Sequence, residues 1–276
     1  MCTTQNVGFV PTMGALHDGH LSLVAQSKKN CTKTVVSIFV NALQFSPDED
    51  FEKYPRNLDE DLRCLSALKV DAVFIPSAQE MYNDNFSIVI NELKLSQKLE
   101  GASRPGFFSG ITTVVSKLFN LIRPSHAFFG KKDIQQLQII KKMVCDLNYN
   151  INVISCETVR ENCGLAMSSR NQYLDNQQKE RASIIYKTLR LGKDMVLDYK
   201  KYSTIIKEMT KKIEAVKDFK IDYLSIACSE TFDEFSDDDD WGRVGFGDVG
   251  VAAAVIISCA VYVNKVRLID NIVINE

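Results

Sequence analysis

Two of the three histidines in this chain, His17 and His20, stand three residues apart in the run PTMGALHDGHLSLV, residues 11–24. Gly14 and Gly19 stand in the same run. Imidazoles spaced i to i+3 project to one side of a helix start. From there they can donate hydrogen bonds to phosphoryl oxygens as charge builds during a displacement. The unpaired amides and dipole of a helix N-terminus favour an anion, and the two glycines would let a phosphate approach the backbone. Two other readings stay open. The pair could bind zinc, with His126 or an acid as third ligand, or the histidines could cap the helix by chance. The run is neither the Gly-x-Gly-x-x-Gly dinucleotide fingerprint nor the Gly-x-x-x-x-Gly-Lys-Ser/Thr loop.

Such a site needs a strand before it and a helix after it, and the chain supplies both. Val7 to Val10 is a short apolar run. GHLSLVAQSKK, residues 19–29, has helical spacing of Leu21, Val24 and Ala25, with lysines at its C-terminal end. Thr34 to Val40 is continuous and β-branched, as in a strand covered on both faces. Asn57 to Lys69 opens with a capping residue and acids, then shows helical spacing. Ala72 to Pro76 reads as strand, residues 110–122 as helix, 126–130 as strand, 133–147 as helix and 151–156 as strand. This alternation predicts an α/β, doubly wound parallel sheet over residues 1–170. Helices at 176–199 and 203–217, then strands at 221–228, 251–263 and 266–274, predict a smaller α+β domain over 171–276. The acid run Asp237 to Asp240 between those strands reads as a solvated loop, since consecutive acids repel and rarely converge on one ion.

A formal net charge of −2 gives no surface built to neutralise a nucleic-acid backbone. No uncharged apolar run is long enough for a membrane span. Residues 1–10 lack the basic start and apolar core of a secretion signal. None of the eight cysteines forms a Cys-x-x-Cys pair, so reduced, largely buried thiols are expected, and with them a cytoplasmic protein.

His-x-Gly-His at a strand-to-helix turn resembles the nucleotidyltransferase superfamily. FVPTMGALHDGHLSLV, SIFVNALQF, YPR, FFGKKDIQQL, TVRE, GLAMSSRNQYL and RLIDNI occur in that order. Together they are similar to the pantothenate synthetase (pantoate–β-alanine ligase) family, from about Val7 to Ile274. The resemblance implies a Rossmann-like domain over 1–170 that binds nucleotide and pantoate. The implied activity is ATP-dependent ligation of pantoate and β-alanine through pantoyl adenylate, releasing AMP and pyrophosphate. ATP is the implied co-substrate with Mg2+, and the implied assembly is a homodimer without nucleic acid or membrane.

Matched motif by motif, Met13, Gly14, Ala15, Leu16, His17, Asp18, Gly19 and His20 would line the nucleotide, with His20 the proton-donating histidine. Gly130, Lys131, Lys132 and Asp133 match a second nucleotide segment, and Val159 an adenosine contact. Met167, Ser168, Ser169 and Arg170 match a loop closing over the phosphates. Gln44 and Gln136 match the glutamines that hold pantoate. The catalytic set implied is His20, His17, Lys132 and Arg170, with no protein ligand to a metal. The residue chemistry agrees: glutamine offers donor and acceptor to a small hydroxy acid, and Lys132 and Arg170 can neutralise a triphosphate.

This chain departs from the family's usual pattern at Ala42 (proline there), Phe107 (histidine), Lys131 (an acid), Asn264 (glycine) and Val266 (threonine). The family also usually begins about twenty residues earlier, with a strand and helix, which bears on one edge of the sheet. The acids of residues 48–56 read as a solvated gate or subunit-contact loop, and His126 reads as structural. Two other functions fit the motifs. One is a nucleotidyltransferase acting on a phosphorylated alcohol; the other is a catalytically impaired nucleotide-binding relative.

Overall fold

The computed structural model describes residues 6–47, 49–239 and 254–274. The chain divides into two compact units. The first comprises residues 1–97, 104–159 and 167–169; the second comprises 98–103, 160–166 and 170–276.

The first unit is built on five parallel strands: β1 (Val7–Thr12), β2 (Lys33–Ile38), β3 (Ala72–Phe74), β4 (His126–Gly130) and β5 (Asn152–Cys156), in the order β3-β2-β1-β4-β5. Helices α1 (Asp18–Asn30) and α2 (Leu58–Ala67) cover one face. Their Leu23, Val24 and Leu65 pack with Val10, Val36, Ile38 and Phe128 of the strands. Short α3 (Ala78–Met81) follows β3, and α5 (Phe107–Ile122) and α6 (Ile134–Asp146) complete the layers. Strand side chains alternate in direction, so Phe9, next to Val10, meets Phe119 of α5 edge-on, ring centres 6.3 Å apart. The β-branched strands predicted from sequence thus lie between two helical layers, as a parallel sheet requires.

β1 is the central strand. From it the chain winds to β2 and β3 on one side, then to β4 and β5 on the other. The order therefore reverses between β1 and β4, and the crevice beyond the carboxyl ends of those two strands is the place where open α/β sheets take ligands.

In the second unit an antiparallel sheet of β6 (Phe219–Cys228), β7 (Val255–Val263) and β8 (Val266–Ile274) packs on helices α7 (Asn176–Ala182), α8 (Ile184–Leu197) and α9 (Tyr202–Glu214). The single helix expected over 176–199 is two pieces meeting at Ser183. Ser183 ends one helix and starts the next, its own amide bonding back to the carbonyls of Lys179 and Glu180. β7 is described from Val255, and the start expected for it at Val251 lies outside the described residues. Asn264 has φ +54° in the two-residue β7–β8 turn. Asparagine tolerates that left-handed conformation, which explains how it can stand where glycine is usual. Val266 opens β8, paired with Val263.

The second unit also takes a segment from the middle of the sequence: Lys98 and α4 (Leu99–Ser103). Glu100 of α4 binds Arg267 of β8 at 2.6 Å, and Lys98 binds Asp233 at 2.5 Å. No sequence signal sets this short piece apart from its neighbours.

The acid run is less bare than its composition suggests. Both carboxylate oxygens of Asp237 accept from Ser203, one from its amide and one from its hydroxyl, at 2.7 Å each, and so cap the start of α9. These bonds hold the Asp237 carboxyl below its ordinary pKa. Asp240 lies outside the described residues. The seven described cysteines are free thiols, but only Cys156 and Cys259 are buried; Cys145 is exposed and Cys31, Cys64, Cys163 and Cys228 are half-buried, which corrects the expectation of largely buried thiols.

Candidate active site

The loop between β1 and α1 carries the two histidines. Gly14 has φ +81° and Ala15 φ +50°, a left-handed pair that turns the chain sharply at the end of β1. The turn is held by Asp61, buried in the first turn of α2. Its carboxylate accepts from the amides of Ala15 (2.9 Å) and Leu16 (2.7 Å). Gly14 donates its amide to the Thr12 hydroxyl at 3.2 Å, and that hydroxyl donates to the Ser37 carbonyl at 2.7 Å.

His17 is the N-cap of α1. Its Nδ1 accepts the Gly19 amide at 3.1 Å, and Nδ1 of His20 accepts the His17 amide at 3.4 Å. This is a reciprocal capping box built from two imidazoles. The rings lie 4.0 Å apart. Burial, more than the nearby Lys132 charge, lowers the His17 pKa to about 4. For His20, burial first, then His17 and Lys132, lowers it to about 3. Both rings are therefore neutral near pH 7. With Nδ1 accepting, each carries its proton on Nε2, where it is a hydrogen-bond donor.

This revises the expectation of an anion site made from free loop amides. The N–H groups of Gly14, Ala15, Leu16, His17 and Gly19 are all engaged within the protein. The side chains of His17, His20 and Lys132 therefore supply donors that these five amides do not. His20 is also not a cationic proton donor in this state, but a neutral one.

Lys132 lies in a 3-10 turn, Lys131–Asp133, at the carboxyl end of β4, close enough for its charge to act on both histidines. It stands 3.8 Å from Asp133. Lys131 pairs with Glu157 just after β5. Gln136 follows in the first turn of α6 and is half-buried; its neighbour Gln135 is buried and donates to the Leu95 carbonyl at 2.8 Å. Met167 donates its amide to the Val159 carbonyl at 3.0 Å, and the Ser169 hydroxyl donates to the Ala15 carbonyl at 3.1 Å. Residues 167–169 thus sit against the histidine loop within the first unit. Arg170 belongs to the second unit.

Gln44 ends a 3-10 turn, Ala42–Gln44, beyond β2. Its Nε2 donates to the Met13 sulfur at 3.1 Å, and its Oε1 accepts from Asn41 at 3.0 Å. Ala42 opens this turn where proline is usual. Gly110 of α5 approaches so closely that a Cβ there would lie 2.2 Å from the Leu43 carbonyl oxygen. Phe107 lies under the Arg104 guanidinium, 3.5 Å from ring centre to Cζ. Arg104 grips Glu49 through two bonds of 2.5 and 2.7 Å. Glu49 is thus fixed rather than solvated, while Asp48 lies outside the described residues. His126 sits in β4 beside Ser125, away from the pair at residues 17 and 20, consistent with a structural role. Among the described residues no group of three or more His, Cys, Asp or Glu could hold a metal ion.

Sequence reasoning missed Asp61 and Tyr82. Asp61 had a readable signal: it is an acid at i−4 from Leu65, on the apolar stripe of α2. Tyr82, whose hydroxyl bonds the buried Asn41, had none.

The family described as pantoate-β-alanine ligase matches residues 1–273. The pantothenate synthetase of Thermosipho africanus is 46% identical over 268 residues, 97% of this chain and 92% of that protein. That of Caldicellulosiruptor bescii is 44% identical over 271 residues, 98% of this chain and 92% of that protein. A crystal structure of the Thermus thermophilus pantothenate synthetase superposes with a TM-score of 0.89 at 39% identity, covering 97% of this chain and 93% of that one. The Francisella tularensis ligase, solved with β,γ-ATP and β-alanine, gives 0.75 at 34% identity, covering 99% and 91%. With the ordered motifs, the central parallel sheet and these likenesses agreeing across almost the whole sequence, the chain belongs to the pantoate-β-alanine ligase family.

Proposed function

We propose that this chain joins pantoate and β-alanine in an ATP-dependent, two-step reaction. In the first step a pantoate carboxylate oxygen attacks the α-phosphorus of ATP, and the bond to the bridging oxygen breaks to release pyrophosphate. In the second, the β-alanine amine attacks the carbonyl of pantoyl adenylate, loses a proton, and expels AMP. The carrying observation is the pair of neutral imidazoles beside Lys132 at the switch point of the sheet. Their Nε2–H groups and the lysine cation are donors suited to charge that grows on phosphate oxygens as pyrophosphate departs. No covalent enzyme intermediate is needed, because positioning and charge neutralisation lower the barrier.

In this reading residues 13–20 and 130–133, with Val159, hold the nucleotide. Gln44 and Gln136 hold pantoate, and residues 167–169 close over the phosphates. The half-buried settings of Gln44 and Gln136, near the ends of β2 and β4, support that division. A magnesium ion would ride on the triphosphate, since Mg2+ keeps waters and phosphate oxygens as ligands. The side chains here are cations and amides rather than a carboxylate cage, so no step is routed through a protein-bound ion. We further propose a cytoplasmic homodimer; no helix among the described residues is long and apolar enough to cross a membrane.

The test is exchange of labelled pyrophosphate into ATP. Exchange should require pantoate and not β-alanine. Exchange that instead needs a phosphorylated alcohol and CTP would assign a nucleotidyltransferase. ATP binding without exchange would assign an impaired relative.

A further inference from the structure

Tyr82 lies at the end of α3, in sequence far from every residue assigned to the site. Its ring packs on Phe39, centres 6.1 Å apart, and edge-on to Phe86 at 4.9 Å, with the Lys117 ammonium 5.9 Å from its centre. Its hydroxyl reaches Oδ1 of Asn41 at 2.7 Å. Asn41 is 1% exposed, and its Nδ2 donates both to the Gly110 carbonyl (3.1 Å) and to Oε1 of Gln44 (3.0 Å).

The chemistry of these partners leaves one arrangement. The Gly110 carbonyl can only accept, so the Asn41 NH2 must face it; the reversed amide would set two carbonyl oxygens together. Oδ1 then faces Tyr82, whose hydroxyl donates. The second Asn41 N–H meets Gln44, which must answer with its carbonyl oxygen. Gln44 consequently turns its NH2 the other way, toward Met13 and the strand ends, with one N–H on the Met13 sulfur. A glutamine fixed in this sense offers donors only. It suits a carboxylate or hydroxyl oxygen and rejects a donor in the same place.

Resting on the reading of Gln44 as a pantoate ligand, we propose that Tyr82 is a positioning residue. Through Asn41 it locks the Gln44 amide so that Nε2 faces the substrate's oxygen. Without the Tyr82 hydroxyl the buried Oδ1 of Asn41 loses its donor, so the asparagine shifts to find another partner and its second N–H loosens its hold on Gln44, freeing Gln44 to present either end.

The experiment is a double-mutant cycle on the full chain with Tyr82→Phe and Gln44→Ala, reading pantoate and ATP affinities by calorimetry. Tyr82→Phe keeps the ring contacts. It should weaken pantoate about tenfold while leaving ATP within about twofold, the loss expected of one buried hydrogen bond. In the Gln44→Ala background it should add less than about twofold, since the amide it orients is gone. Gln44→Glu keeps the acceptor for Asn41 but turns an anionic oxygen on the substrate, and should weaken pantoate more than Gln44→Ala does. An equal Tyr82→Phe effect in both backgrounds, or an equal loss of ATP affinity, overturns the relay and leaves Gln44 its place. Unchanged pantoate affinity in Gln44→Ala overturns the pocket, and the relay with it. Should Tyr82→Phe fail to fold, Gln44→Glu carries the test: pantoate affinity equal to or better than that of Gln44→Ala overturns the donor assignment.

Discussion

Histidine is usually discussed as a cation near neutral pH, yet His20 and His17 stay neutral there because burial and Lys132 disfavour their charge. A neutral Nε2–H donor still strengthens its bond as negative charge develops on phosphate. His20→Ala should therefore slow pantoyl adenylate formation by roughly 100- to 1,000-fold, as removal of a transition-state donor does. ATP affinity should change much less. Single-turnover kinetics with unaltered adenylate formation would remove His20 from the catalytic set. The same two rings set a pH dependence of stability. In the unfolded chain they protonate near the ordinary value of 6.5, and in the fold only near 4 and 3. The unfolded state thus binds more protons at these two groups between those limits, so their contribution to stability is full above pH 6.5 and is lost as pH falls toward 4. Urea midpoints should fall over that window in the wild type and fall less in a His17→Gln, His20→Gln double variant. Parallel declines would mean that other groups carry the slope. The lowered carboxyls of Glu60, Asp71, Glu80, Asp233 and Asp237 lose their contribution only within the ordinary carboxylate range, so the upper part of the window, just below pH 6.5, belongs to the histidines.

At the scale of elements, the β1–α1 turn depends on α2. Asp61 replaces the water that two loop amides would otherwise seek, and a charged acceptor makes these bonds strong. Asp61→Asn turns an amide NH2 toward one of those N–H groups. It should cost about 2 kcal/mol of stability and speed hydrogen exchange at Ala15 and Leu16. It should also weaken ATP more than pantoate, because the loop presents His17 and His20. Unchanged exchange at both amides would show that the turn holds itself. The departure at Ala42 reads differently once packing is seen: the turn bearing Gln44 is braced by Asn41 and by Gly110 of α5. Contacts from the turn's own cap residue and from α5 stand where a proline's stiffness is usual.

At the scale of the whole molecule, the chain assembles its second unit from separated stretches, and α4 is held there by Glu100 on Arg267. Arg267 also binds Asp222 at 2.7 Å, so one guanidinium ties α4, β6 and β8. Arg267→Ala would take this guanidinium from Glu100, whose side chain is 6% exposed. A loss of about 3 kcal/mol is expected, seen as a lower urea midpoint. Pyrophosphate exchange at temperatures where the variant stays folded should be near wild type. An unchanged midpoint would mean that contacts other than the Arg267 guanidinium hold α4.

The order of strands and helices, the doubly wound class and the histidine run were all legible in the residues. Each depends on local periodicity or on neighbours in sequence: β-branched runs, helical spacing, and two histidines at a helix start. Other features were decided by contacts between residues far apart in the chain. Asp61 reaches the loop across 46 positions, Tyr82 reaches Asn41 across 41, and Glu100 reaches Arg267 across 167. Those pairings determine which amides are already satisfied, which end of a glutamine faces outward, and whether a histidine carries charge. Hydrogen-bond saturation and desolvation are properties of a surrounding, and a surrounding exists only after the chain has folded.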